Sequence, residues 1–326
     1  MTLHVGIDLG GTNLRAAAFD ADLGKPHDIH KELVGDARDP ASIVERVAIA
    51  AERFANSGGA SGPATLGVGI AAMLRDRRGM VANSPHLHWR DVDFGGLLAK
   101  RLGSRWKLGI YNDVNAITWG ESIAGAARGC RDVLAVYVGT GIGGGVISGG
   151  QLVEGATNCA GEIGHVKVRW DDTALPCACG GRGCVEAYVG GSYVVKRIAA
   201  ELPTKGKKSL AISLAGGIEH VTPGHVDRAA EAGDDWALAL WTELAPLLGV
   251  ALGNAVSVLN PERLILGGGL LSRTPTLYAL VEVAVTIAVP SASIEPLTIV
   301  PAELGDEAGL VGAANLAATG TSVFSA

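Results

Sequence analysis

The sequence predicts an α/β fold in two domains, on three observations. Strand-like and helix-like apolar patterns alternate along the chain, which is the signature of that class. A unit of strand, Gly/Thr turn and strand occurs twice, once at Gly10-Gly11-Thr12 and again at Gly139-Thr140-Gly141. The length of 326 residues suits two domains at roughly 100–200 residues each.

Each element follows from its local pattern. Residues 3–8 form a short apolar strand with Asp8 at its end, and residues 14–19 a second strand beyond the turn. Asp39 caps a helix that Pro40 opens, and Ile43, Val44, Val47, Ala48, Ala51 and Phe54 fall on one helical face. Residues 65–74 read as one buried strand, 94–102 as a helix, and 108–111 as a strand running into Asn112-Asp113. An Ala-rich helix covers 114–127. The second copy of the opening unit follows, with strands at 133–138 and 144–147. Residues 201–209, with Pro203, Gly206 and three lysines, read as an exposed loop. A strand at 264–266 closes on Gly267-Gly268-Gly269, and a helix rich in small residues at 309–318 suits close packing.

Composition excludes several functions. Apolar residues make up 48% and charged residues 18%, so a packed core is expected and disorder is not. With 27 basic and 33 acidic residues the net charge is −6, which advertises neither nucleic acid nor an anionic membrane. The longest apolar stretch, 244–259, is broken by Pro246, Gly249, Gly253 and Asn254 and reads as a buried core helix. Asp8 arrives too early for a signal peptide, so a cytoplasmic protein is expected. The 47 glycines are about twice the usual share of roughly 7% and have no repeat period, so they serve turns and close backbone approaches.

Four motifs carry chemistry. In Asp8-Leu9-Gly10-Gly11-Thr12-Asn13, glycine N–H groups and a hydroxyl can approach phosphate oxygens, and Asp8 can hold a cation that neutralises them; a plain hairpin turn is the alternative. Gly139-Thr140-Gly141-Ile142-Gly143-Gly144 matches a dinucleotide fingerprint in form. The next residues, Gly145-Val146-Ile147, continue as a strand, whereas that fingerprint must open a helix. A second phosphate turn is the better reading, and two such turns would clamp a triphosphate between two lobes. Asp113, at a strand end beside Asn112, can accept a proton from an alcohol, or can be a helix cap. His165, Cys177, Cys179 and Cys184 supply one imidazole and three thiolates in a Gly-rich stretch, a complete set for a closed structural zinc site. Zinc deaminases need a C-x-x-C pair and an H-x-E start, neither of which is present. Cys130 and Cys159 stand apart as structural thiols.

Together these residues resemble the ROK family, the sugar kinases and related repressors of the actin-like ATPase superfamily. The resemblance spans nearly the whole chain. It rests on the Gly-rich turn after Val138, on Gly155, on Gly161-Glu162-Ile163-Gly164-His165, and on Cys177-Ala178-Cys179-Gly180-Gly181-Arg182-Gly183-Cys184-Val185-Glu186. The fold it implies is the ribonuclease H-like one of that superfamily, with a cleft between two domains and a small zinc loop at 165–186. The smaller domain would comprise 1–112 joined by the C-terminal helix at 303–326, and the larger 113–302. Asp113 would be the general base. Asn112, Asp113, Glu162, His165 and Glu186 would bind the sugar, with His86 on the pocket rim. Asp8, Gly10, Gly11, Thr12, Gly139, Thr140 and Gly141 would hold the phosphates of ATP with Mg2+, and Gly268 and Gly269 would border the adenosine. A homodimer is implied as well.

The activity this implies is transfer of the γ-phosphate of ATP to a hexose hydroxyl, foremost glucose to glucose 6-phosphate. The alternatives are a kinase for fructose, mannose or N-acetylmannosamine, or a sugar-sensing regulator without catalysis. Repressors of the family carry an N-terminal helix-turn-helix, for which a phosphate strand beginning at Leu3 leaves no room. Three positions depart from the family pattern and bear on the sugar: Ala71-Ala72 in place of a Pro-Gly-like element, Arg75 in place of an Asp, and Pro85-His86-Leu87 in place of Pro-Asn-Leu.

Overall fold

A computed structural model of the chain describes residues 2–20, 23, 25–57, 62–321 and 324–325. The first strands are β1 (Leu3–Leu9), β2 (Asn13–Phe19) and β3 (Pro26–Leu33). They are followed by helix α1 (Pro40–Ser57), whose Asp39 carboxylate accepts from Ser42 N–H at 3.0 Å. Next come β4 (Ala64–Ile70), then β5 (Met73–Leu74), β6 (Met80–Ser84) and β7 (Trp89–Asp93), which form a small antiparallel sheet. The stretch 65–74, expected as one strand, therefore ends at Ile70. There Ala71 N–H donates to Leu9 O at 3.0 Å and Ala72 N–H to Ile70 O at 2.7 Å, which turns the chain aside.

Helix α2 (Phe94–Leu102), β8 (Trp106–Asn112), α3 (Asp113–Ala124), β9 (Val133–Val138), β10 (Ile142–Ser148) and β11 (Gln151–Leu152) continue the chain. The helices α4 (Glu186–Val189), α5 (Gly191–Glu201), α6 (Leu210–Ala215), α7 (Pro223–Glu231) and α8 (Asp235–Leu259) follow. Then come β12 (Arg263–Gly267), α9 (Pro275–Ala288), α10 (Ser291–Ile294), β13 (Thr298–Pro301), α11 (Ala308–Ala318) and β14 (Phe324–Ser325).

The contacts divide the chain into two units. One comprises residues 1–130, 145–160 and 303–326; the other comprises 131–144 and 161–302. The division differs from the boundary expected at residue 112, because α3 packs on α11 within the first unit.

The first unit is built on a six-stranded sheet of order β14-β8-β4-β1-β2-β3. Strands β8, β4 and β1 run parallel, with Asp8 opposite Gly69 and Ile70 opposite Asn112. Side chains of β1 and β4 alternate between two faces. Val5, Ile7, Leu66 and Val68 meet Ile43, Val47, Phe54 and Leu98 on one face. The other face carries glycine where α11 crosses: a Cβ at Gly67 would run into Ala313 O, and one at Gly6 into Leu310 O. On its far side α11 touches α3 just as closely, Gly312 against Ala116 O and Gly120 against Ala308 O. Glu121, fully buried, accepts from Ala126, Glu303 and Leu304 N–H at 2.8–3.0 Å, and so ties the chain entering α11 to α3.

In the second unit β9, β12 and β13 run parallel. Helix α8 has the length and apolarity to cross a membrane, but its Leu240, Trp241, Leu244, Leu248 and Leu252 are buried, and it packs on α9, α7 and α4 as a core helix. The loop at 201–209 is only partly exposed, since Leu202, Gly206 and Ser209 are buried and Gly206 abuts Trp236.

The α11 contact sets a steep steric test. Gly67→Ala should lower stability by about 3 kcal/mol or more, because the neighbour is backbone and cannot rotate away. Gly69→Ala, whose new methyl would meet Ala116 Cβ at 3.1 Å, should cost about 1 kcal/mol. Urea denaturation of both variants checks the order; equal midpoints would contradict the packing.

Candidate active site

Both units place their chemistry at the carboxyl ends of parallel strands, where α/β proteins bind ligands. In the first unit, β1 ends at the Gly10-Gly11-Thr12 turn, closed by Gly10 N–H donating to Asn13 O at 3.0 Å. Asp8 faces Arg15 across the β1–β2 pair, and Arg15 Nη1 donates to its Oδ2 at 2.9 Å. The other guanidinium nitrogen reaches Asp306 at 2.8 Å. Burial pushes the Asp8 carboxyl above the usual carboxylate range, against the pull of Arg15. A cation bound near Asp8 would therefore share it with Arg15. The pairing was open to sequence reasoning, since opposite charges seven residues apart across a three-residue turn face each other on one side of the hairpin.

The cap of α3 is Asn112, not Asp113. Asn112 caps α3: its Oδ1 accepts from Asn115 N–H at 3.2 Å, while its Nδ2 donates to Ala72 O at 3.1 Å. Asp113 is the first helical residue of α3. It lies on the same sheet edge as the Gly10–Thr12 turn, with β4 between their two strands.

The three departures from the family pattern sit differently. Ala72 is buried and offers its carbonyl to Asn112. Arg75 is paired with Asp91. His86 is exposed and stands against the phosphate turn, its Cβ 2.6 Å from where a Cβ at Gly11 would lie.

In the second unit, β9 leads into the turn at Gly139-Thr140-Gly141, closed by Gly139 N–H donating to Gly141 O at 2.9 Å. Gly268 follows the neighbouring strand β12 with φ +90°, and a Cβ there would lie 2.5–2.6 Å from the Val138 backbone. Only glycine combines that conformation with that approach. Gly269 beside it has open space around its Cβ position. The two glycine segments thus adjoin at the ends of adjacent strands.

The zinc set comes together as its spacing predicts. The ligand atoms of His165, Cys177, Cys179 and Cys184 lie within 4.8 Å of one another. Cys177 Sγ is 3.7 Å from His165 Nδ1, and Cys179 Sγ is 3.7 Å from Cys184 Sγ. A tetrahedral zinc with Zn–S bonds of about 2.3 Å spaces its sulfurs about 3.8 Å apart, so the set fits the ion. Lys167, which carries no motif signal, donates to Cys184 Sγ at 2.8 Å and would offset the excess negative charge of three thiolates on one divalent ion. Burial pushes the Cys177 thiol up to about 12, whereas the Gly181 N–H holds the Cys179 thiol low.

Around this knuckle stand the two carboxylates. Glu162 Oε2 lies 3.8 Å from His165 Nε2, the nitrogen turned away from the cysteines. Burial raises the Glu162 carboxyl above its ordinary range. Glu186 Oε2 accepts from Ile142 N–H at 2.8 Å, and its Oε1 lies 3.9 Å from Cys177 Sγ.

Glycine turns at the ends of parallel strands in both units, a strand-end carboxylate and a cluster of one histidine and three cysteines that could hold a metal define an α/β protein with a candidate ligand site. A ROK family model matches residues 4–319. A glucokinase of Streptomyces coelicolor is 32% identical over 323 residues, which are 97% of this chain and 98% of that enzyme. The crystal structure of a ROK family glucokinase from Streptomyces griseus in complex with glucose and AMPPNP matches with a TM-score of 0.79 at 30% identity, covering 98% of this chain and 100% of that one. A xylose repressor of Caldicellulosiruptor bescii is 28% identical over 204 residues, 62% of this chain and 49% of the repressor. The chain belongs to the ROK family.

The knuckle geometry is testable by elemental analysis. Protein purified without chelators should carry about one zinc per chain, and Cys179→Ser should lose it, since a structural site needs all four ligands. Zinc content unaffected by the substitution would refute the site.

Proposed function

We propose that this chain is an ATP-dependent sugar kinase that phosphorylates glucose at its 6-hydroxyl. The observation that carries the reading is Asp113. It is a carboxylate at the first residue of α3, on the same sheet edge as the Gly10–Thr12 turn. The relationship to glucokinases along nearly the whole chain supports the substrate.

The residues divide the work. Glycine N–H groups at 10–12 and 139–141 receive phosphate oxygens, and Gly268 and Gly269 flank the nucleoside. Asp8, near the end of β1 before the Gly10–Thr12 turn, would help hold the Mg2+ that arrives with the nucleotide and supplies charge neutralisation on the phosphates. Glu162, Glu186 Oε1 and Asn112 accept or donate to sugar hydroxyls. His165, with one nitrogen toward the metal, offers the other, and a hydroxyl between its Nε2 and Glu162 Oε2 would bridge the two. As the sugar oxygen bonds to the γ-phosphorus and the bond to ADP breaks, its proton passes to the Asp113 carboxylate. Phosphoryl transfer needs positioning more than covalent help, so an ordinary carboxylate suffices as base.

A regulator without catalysis is the second reading, favoured by the similarity to the xylose repressor. Turnover separates the two. The wild-type chain should convert ATP to ADP with glucose giving the highest kcat/KM among hexoses, N-acetylhexosamines and fructose. Asp113→Asn should lower kcat by roughly 10²–10⁴ while nucleotide still binds. No turnover with any sugar would favour the regulator, and near-normal turnover in folded Asp113→Asn would remove Asp113 from the mechanism.

A further inference from the structure

The segment 186–193 is fastened on both sides. On one side it holds the phosphate turn. Glu186 accepts from Ile142 N–H at 2.8 Å, Gly191 N–H donates to Gly139 O at 2.9 Å, and Ser192 N–H donates to Thr140 O at 2.9 Å. On the other side it holds the knuckle. The Tyr188 hydroxyl accepts from Leu175 N–H at 2.8 Å, and the Tyr193 hydroxyl accepts from Ala178 N–H, between two metal ligands, at 2.9 Å. Glu186 Oε1 adds a close approach, 3.9 Å from Cys177 Sγ.

Neither tyrosine hydroxyl serves the sugar or the phosphates in the reading above. Their donors are backbone groups of a loop built from turns and two isolated bridges, Pro176 with Arg182 and Lys167 with Cys184, closed by bonds such as Cys177 N–H to Gly181 O at 2.9 Å and Gly183 N–H to Leu175 O at 2.8 Å. Metal binding orders such a loop, because ligands far apart in an unfolded chain must converge. An ordered loop presents the Leu175 and Ala178 N–H groups at fixed positions. The tyrosines transmit that order to 186–193, and that segment fixes two carbonyls of the turn and the N–H of Ile142 that follows it.

We propose that metal occupancy of the knuckle and nucleotide affinity of the Gly139–Gly141 turn are coupled, with Tyr188 and Tyr193 as the positioning residues that couple them. The proposal rests on the kinase reading for the turn's ligand. A turn already ordered loses less entropy when phosphate arrives, so nucleotide binds more tightly to the metal-loaded chain. Linkage makes the effect reciprocal: bound nucleotide must hold the metal more tightly by the same factor.

The experiment uses the full chain without sugar, with ADP and Mg2+ as the probe and a zinc-selective chromophoric chelator. Calorimetry should show ADP affinity falling at least about 5-fold when zinc is removed. Saturating ADP should weaken zinc extraction by the same factor. The variant Tyr188→Phe with Tyr193→Phe should keep its zinc and bind ADP about 3–10-fold more weakly, the range for lost neutral hydrogen bonds. In that variant ADP should no longer protect the zinc. Unchanged ADP affinity in folded, zinc-free chain would overturn the coupling. Should the stripped chain unfold, zinc extraction unaffected by ADP in the loaded wild type would overturn it equally. A wild type that binds no ADP would sink the kinase reading and the coupling with it, whereas normal ADP binding without protection sinks the coupling alone.

Discussion

The first unit depends on how closely α11 lies against its neighbours. Gly67 and Gly6 on the sheet, and Gly312 and Gly120 between the helices, bring backbone to within the reach of a missing methyl group. Larger side chains would push α11 off the sheet and α3 off α11. The active residues ride on that closeness. Asp8 sits against Gly309 in the first turn of α11, and Asp113 begins α3, which α11 supports from Ala308 to Gly312. The buried Glu121, with three backbone donors, secures the same junction where the chain enters α11. A small-residue helix here sets positions for carboxylates that it does not itself carry.

The second unit reaches a comparable end by other means. Its parallel strands β9 and β12 again deliver glycine turns at their carboxyl ends, with Gly268 backed against Val138 as its steric anchor. The outer support comes from the loop that carries His165, Cys177, Cys179 and Cys184 instead of a packed helix. Lys167 supplies the countercharge, and Glu162 and Glu186 stand at the knuckle's edge with their carboxylates turned to His165 and to the phosphate turn. A metal bound there would give Glu162, His165 and Glu186 a rigid frame that so short a stretch could not otherwise build.

Much of this was legible in the sequence because its signals are local. The two strand–turn–strand units, the Asp39–Pro40 helix start, the helix at 94–102 and the four metal ligands all depend on residues close along the chain, and each has its expected place. Strand β3 was missed because it lies at the sheet edge with most of its side chains in water, so its apolar residues follow no clear alternation. The small sheet of β5, β6 and β7 was missed because its strands are short and its first was absorbed into the preceding apolar run. Helix α9 was missed because both its faces are apolar, Val281 and Val285 on the buried one and Val283 and Ile287 on the exposed one. The division of roles between Asn112 and Asp113 turns on which side chain bends back to Asn115, a one-residue choice that periodicity does not resolve. The tyrosine bonds to Leu175 and Ala178 join residues 13 and 15 positions apart through a loop without period, so nothing in the sequence announces them.

The central claim is that Asp113 takes the proton from a sugar hydroxyl that attacks ATP. The most direct measurement is a crystal structure of this chain with glucose and a non-hydrolysable ATP analogue. The account predicts the glucose 6-hydroxyl about 2.6–3.2 Å from an Asp113 carboxylate oxygen and directed at the γ-phosphorus. The remaining hydroxyls should lie on Glu162, His165, Glu186 and Asn112. Glucose bound with Asp113 out of hydrogen-bond reach of every hydroxyl, or with another carboxylate at the 6-hydroxyl, would contradict it.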